Sequence, residues 1–335
     1  MNPNRINLLF LAFTALTAAS TFAQNSATSE QQGPGVDNTS LSESQPEQKV
    51  VVVTGARFAY RLVEKWIDEY NKVNPQIQII VESRGSADPL KYDILAEVYE
   101  HEDEFRKNRK YVYVGRYAVL PVANNASSFA RTYSEKGLNT DLIRQIFFND
   151  IFSDKSRQKT IEAPYAVYRR LQRAGVPIVF STYFGYEYKD LKGTVIAGAD
   201  AHVLRATLRD SIGVTYLPLP LIYDEHTRKA VEGIVVLPVD LNGNRKVSDD
   251  EKFYDTSDRV IEILEAGESH TIRNVPIEYL HLSVDPSKAS DEAVDFLKWV
   301  SEHGQNYLNE FGYLKTEGKH SRNEKFNEFA SGRGR

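Results

Sequence analysis

The residues best suited to meet a charged ligand stand where strand-like runs hand over to helix-like ones. Val50-Val51-Val52-Val53 leads into Thr54-Gly55-Ala56-Arg57, and a segment with apolar residues at helical spacing follows. A helix that starts after a glycine turn presents unpaired N–H groups and the positive end of its dipole, which suits an anion. The plain alternative is an ordinary strand-to-helix turn. No Gly-Lys-Ser/Thr follows, so this is no Walker loop, and the later glycines of a dinucleotide fingerprint are missing. Ser83-Arg84-Gly85-Ser86 comes directly after the next strand-like run. Two hydroxyls, a guanidinium and a permissive glycine at that place match the sheet edge where open α/β folds bind ligands. The plain alternative is a polar turn. Tyr168-Arg169-Arg170-Leu171-Gln172-Arg173-Ala174-Gly175 runs from a strand into a helix. Guanidinium groups near a helix start match tetrahedral oxyanions, against the alternative of a solvated basic loop.

A fourth group is more specific. Asp240, Asn242, Asn244, Ser248 and Glu251 fall at positions 1, 3, 5, 9 and 12 of a calcium-loop pattern. Lys246 would offer its carbonyl at position 7, and the apolar Val247 follows at position 8. Arg245 replaces the usual glycine at position 6, at a cost on the order of 1 kcal/mol. A structural calcium is expected here, against a metal-free turn rich in Asx residues. Nothing points to an enzyme or a catalytic cofactor. The seven histidines are scattered, no Gly-x-Ser-x-Gly elbow occurs, and no carboxylates pair at a defined spacing.

The elements that position these groups follow from the rest of the chain. Arg5, the apolar run 6–19 and the small residues Thr21 and Ala23 read as a cleaved signal peptide, residues 1–23. Residues 24–49 are polar and small, a flexible leader. Nothing downstream reads as a transmembrane helix. The absence of cysteine excludes disulfides, thiol nucleophiles, Cys-based zinc sites and a lipid anchor on cysteine. A net charge of −5 gives no reason to expect nucleic acid as a partner. Helices are expected over 57–73, 137–148, 178–184, 199–209 and 291–311, and strands over 50–53, 76–81, 166–168 and 213–219, with two strand-like stretches within 111–123. Alternating strands and helices mean an α/β fold.

Several of these segments resemble the phosphate-binding proteins of ABC transporters. They are Thr54-Gly55-Ala56 with its helix and Asn74-Pro75, Leu120-Pro121-Val122-Ala123-Asn124, the helix 138–152, and the loop 170–176. The resemblance spans residues 50–314 and looks closest to a divergent branch carrying the Asp-Leu-Asn-Gly-Asn loop. In that family the last loop reads Arg-x-Asp-Gly-Ser-Gly-Thr, so Arg170 stands for the arginine and Gly175 for the second glycine. Gln172, Ala174 and Val176 replace the aspartate, serine and threonine.

The resemblance implies a two-lobed type II periplasmic binding protein, each lobe a mixed or parallel sheet flanked by helices. Lobe 1 would be residues 50–123 and 236–335, and lobe 2 residues 124–235. It implies a periplasmic capturer of a small oxyanion, phosphate first, delivering to an ABC permease. Thr54, Gly55, Ala56, Arg57, Ser83, Gly85, Ser86, Arg170, Ala174 and Gly175 would line the ligand. The amides at Gly55, Ala56 and Gly175 would face it, with Arg170 the main side-chain contact. The lost donors keep a second reading open: an exported, calcium-stabilised scaffold or sensor on the same fold.

Overall fold

A run of β-branched residues needs cover on both faces, and Val50–Gly55 forms strand β1 with Val51 and Val53 buried and Val52 half-buried. The structure, a computed structural model, describes residues 50–82, 91–100, 107–149, 160–173, 175–267, 271–317 and 323–333. All of them belong to one compact unit. The expected signal peptide and leader, and the group Ser83-Arg84-Gly85-Ser86, lie outside the described residues, as does Ala174.

After β1 the chain makes one 3-10 turn, Arg57–Ala59, and enters helix α1, Tyr60–Asn71. Leu62, Val63, Trp66, Ile67 and Tyr70 recur on one face and all are buried, so amphipathic spacing alone accounts for the docking of α1. β2 (Gln78–Val81) and β3 (Ile94–Glu97) flank β1, both parallel to it. β4 (Lys110–Asn124) is a single long strand where two stretches were expected, with a bulge between Tyr113 and Gly115. At about 3.3 Å per residue it reaches roughly 50 Å, enough to serve two sheet halves. Its first part pairs with β9 (Ile277–Val284), and its last part pairs with β7 (Gly213–Pro218) and β8 (Ile234–Val236), all antiparallel. β5 (Ala166–Arg170) and β6 (Thr194–Ile196) extend the far half in parallel. Among the described residues the order is β2-β1-β3-β9-β4-β7-β5-β6, with β8 on β4. The sheet is therefore mixed, parallel at both ends and antiparallel at the centre. The expected lobe boundaries at 123–124 and 235–236 fall inside β4 and β8.

Helices α2 (Ser128–Lys136), α3 (Thr140–Phe147), α4 (Val176–Tyr183), α5 (Asp200–Arg209), the short α6 (Leu219–Ile222), α7 (Ser257–Ala266), α8 (Asp291–His303) and α9 (Glu324–Gly332) complete the fold. Ser127, Asn139, Thr256 and Ser290 cap α2, α3, α7 and α8, each side chain accepting an N–H of the first turn. Such a cap contributes about 1 kcal/mol. α5 packs on β5 and β7, and α1 on β2 and α8.

The single long helix expected over 291–311 stops instead at His303 and continues as two 3-10 turns. The Trp66 indole N–H donates to the Gly304 carbonyl at 3.1 Å. A Cβ at Gly304 would stand only 3.1 Å from the same indole nitrogen, so the break is a docking point for Trp66. Among the described residues no helix is long and apolar enough to cross a membrane.

Candidate functional site

The turn after β1 is pinned before it can serve a ligand. Gly55 has φ +138°, and a Cβ there would lie 1.9 Å from the Ala96 carbonyl oxygen. Only glycine lets the chain pass β3 this closely. The Ala56 N–H donates to that carbonyl at 2.8 Å, and the Gly55 N–H donates to the Tyr60 hydroxyl at 3.2 Å. Of the three amides expected to face a ligand, those of Gly55 and Ala56 are therefore engaged within the protein. The Thr54 hydroxyl is spent as well, donating to Glu82 O at 3.2 Å.

Two buried tyrosines hold the wall beyond the turn. Tyr117 donates to Val98 O at 2.6 Å, and Tyr313 donates to Phe58 O at 3.0 Å. Both rings pack on Phe58. Burial pushes both phenols well above their ordinary value, so they stay protonated donors.

Opposite this wall stands the end of β5. Arg170 Nε donates to Gly198 O at 2.9 Å, and Nη1 donates to Asp200 Oδ2 at 3.2 Å. Gln172 accepts the Gly198 N–H at 3.3 Å. Asp200 opens α5 and is 6% exposed. Burial pushes its carboxyl up, and the Arg170 charge opposes that shift. Two of the five N–H groups of Arg170 are thus committed.

Between the walls lies a cavity of about 310 Å³. Of the expected residues, Gly55, Ala56, Arg57 and Arg170 line it. Thr54 is not in its lining. Gly175 stands just behind, a Cβ there meeting the Val98 side chain at 3.0 Å, and Val98 itself lines the cavity. Tyr60, Gly198, Ala199 and Asp200 also line it, and sequence reasoning missed them. Asp200 looks like an ordinary first-turn acid of a helix in the sequence; only the fold brings it to Arg170.

The calcium-type loop is compact. Asp240 and Glu251 are 1% and 4% exposed. Asp240 accepts the N–H groups of Gly243, Asn244 and Arg245 at 2.7, 3.1 and 2.7 Å. Glu251 accepts those of Leu241, Asn242 and Ser248 at 2.7, 3.3 and 2.9 Å, and the Ser248 hydroxyl at 2.8 Å. Asn244 accepts the Lys246 N–H at 2.9 Å. Arg245 takes φ 72°, the left-handed conformation that glycine usually supplies at that position. Among the described residues no three His, Cys, Asp or Glu side chains are placed to share a metal ion. A cation here would rely on two carboxylates supplemented by neutral oxygens.

No family model matches the chain, and no curated protein matches it. Solved structures do. A putative phosphate ABC transporter substrate-binding protein from Clostridium perfringens, solved with bound phosphate, is 14% identical with a TM-score of 0.58; the match covers 80% of this chain and 100% of that one. An ABC-type phosphate transport receptor from Vibrio cholerae is 15% identical with a TM-score of 0.53, covering 80% of this chain and 100% of that one. A regulatory domain from Synechocystis PCC6803 in complex with 2-PG is 11% identical with a TM-score of 0.48, covering 77% of this chain and 98% of that one. At these identities the first two likenesses establish architecture alone: the chain has the α/β fold of periplasmic binding proteins.

Proposed function

We propose that the chain is a periplasmic solute-binding protein that captures a small oxyanion, phosphate first, for an ABC permease. The observation that carries this reading is the meeting of Arg57 and Arg170 in one cavity. They come from two segments more than a hundred residues apart, each singled out for anion chemistry. The first turn of a helix lacks intrahelical partners for its N–H groups, and Arg57 and Phe58 place such a turn on the cavity wall.

Asp200 favours phosphate over sulfate. A carboxylate on the wall accepts the proton of a protonated phosphate and repels an anion that has none. It stands in for the acceptor lost where Gln172 replaces the family's aspartate. The two sheet halves would close on the ligand, and the permease would read the closed form. Two fold neighbours named for phosphate transport support this choice of ligand.

One observation favours the second reading, a scaffold or sensor without transport. The Gly55 and Ala56 amides are already bonded within the protein. Calorimetry with phosphate separates the two. Arg170→Ala should weaken binding about ten- to hundredfold, since charge-assisted bonds contribute about 1.5–3 kcal/mol. Unchanged affinity in Arg170→Ala would remove this cavity from the account.

The loop over residues 240–251 belongs to the same reading as a structural calcium loop. Asp240 and Glu251 would supply the charge, and Asn242, Asn244, Ser248 and the Lys246 carbonyl the neutral oxygens. With only two carboxylates its affinity would be weak, with a Kd on the order of 10⁻⁴–10⁻³ M.

A further inference from the structure

Arg57 and Phe58, which line the cavity facing Arg170, also line a second and larger cavity of about 510 Å³. Both walls run on from one to the other. On one side Arg57 and Phe58 are followed by Arg61 and Leu62 of α1. On the other, Asp200 lines the first cavity and Leu204 the second. These two stand four residues apart on one face of α5, so the second cavity continues the line of the first. Residues of α6, of the segment 223–231 and of 310–312 line the rest of it.

Its floor is apolar, with Phe58, Leu62 and Tyr223 buried. Ser257, the first residue of α7, lines it and is 1% exposed, and the Ser257 hydroxyl is buried with no hydrogen-bond partner. A buried hydroxyl without a partner destabilises the fold that holds it. The rim is polar, but its charges are largely engaged within the protein. Arg61 pairs with Glu225. Arg228 donates to Asp258 Oδ1 at 2.9 Å and to the Asn309 and Glu310 carbonyls at 2.7 and 2.6 Å. Asp224 accepts the His226 and Thr227 N–H groups at 3.1 and 2.7 Å. Apart from Arg57, the arginines of this lining are therefore already paired. What remains is apolar surface and an unmet hydroxyl, which suit an uncharged body bearing hydroxyls better than a second anion. Size points the same way. A water takes about 30 Å³ and a bare tetrahedral oxyanion a small multiple of that, so phosphate alone fills neither cavity. Cavities of about 300–1,000 Å³ hold whole organic ligands.

We infer that the captured oxyanion is the head group of a phosphate monoester of a sugar or other polyol. The phosphoryl group meets Arg57 and Arg170, and the hydroxylated body extends past Phe58 to Ser257. This rests on the oxyanion reading above and deepens it, with inorganic phosphate binding as the head alone. The test is calorimetry with inorganic phosphate, glycerol 3-phosphate, glucose 6-phosphate and glucose on the wild type, Ser257→Ala and Leu221→Trp. At least one ester should bind the wild type about tenfold or more tighter than inorganic phosphate does. Ser257→Ala should weaken that ester about three- to tenfold, and Leu221→Trp, which fills the second cavity, about tenfold or more. Both variants should leave the affinity for inorganic phosphate unchanged. Esters bound no tighter than phosphate overturn the inference and leave the oxyanion reading standing. Glucose bound as tightly as its phosphate overturns it too, as do variants that weaken ester and phosphate alike or weaken neither. A wild type that binds neither phosphate nor ester overturns both readings. Ser257→Ala, the smaller change, decides the matter alone if Leu221→Trp does not fold.

Discussion

Gly55 does two things at once: it lets β1 pass under the Ala96 carbonyl, and it delivers Arg57 to the cavity. Gly55→Ala forces a side chain into a φ of +138° and against backbone oxygen. It should destabilise the protein by about 3 kcal/mol or more, read from the urea midpoint. A midpoint within error of wild type would show that the turn is not pinned. Asp200 offers a test by pH. Burial raises its pKa above the ordinary aspartate value of 3.8, so the folded chain keeps this proton over a window in which the unfolded chain has lost it. Stability from this group therefore falls as pH rises through that window and returns as acid is added. The difference in unfolding free energy between wild type and Asp200→Asn should move in favour of wild type as pH drops from neutral toward 4, whereas a flat difference would contradict the shift. Gly55 was legible because a glycine between a strand and a helix has few other uses. Asp200 was not, because its partner Arg170 is thirty residues away and only pairing along β5 and β6 brings Gly198 and Asp200 to it.

At the scale of elements, periodicity recovered α1, α4, α5 and most strand cores to within a few residues. It failed where a tertiary contact overrode the local pattern. The helix expected over 291–311 is broken by the Trp66 bond to Gly304, and the two stretches expected in 111–123 are one bulged strand that both sheet halves share. β3 and β9 escaped notice because their short apolar runs carry no spacing signal apart from their neighbours. The loop over residues 240–251 stood out in the sequence as a motif, and its backbone N–H groups donate to both carboxylates. Calcium at about 10 mM, well above the expected Kd, should stabilise the protein by about 1–3 kcal/mol, raising its melting temperature by a few degrees over chelator. Glu251→Ala should abolish the rise. Superimposable wild-type curves in calcium and chelator would leave the loop a metal-free turn.

At the scale of the molecule, β4 and β9 tie the two sheet halves together, and the candidate cavity is lined by residues of both. The first wall is fixed by Tyr117 and Tyr313, and the second by Arg170, Gly198 and Asp200. The α/β architecture was readable from alternation of elements. The lining of the cavity was readable in part, from the arginines and glycines at strand ends. The amide bonds that consume Gly55 and Ala56 were not, since they depend on how closely β3 approaches. The measurement that bears most directly on the account is a calorimetric titration of the purified protein with phosphate and then with sulfate. The account predicts saturable one-to-one phosphate binding and markedly weaker sulfate binding, because Asp200 accepts a proton that sulfate lacks. No heat from either anion at millimolar concentration would contradict it.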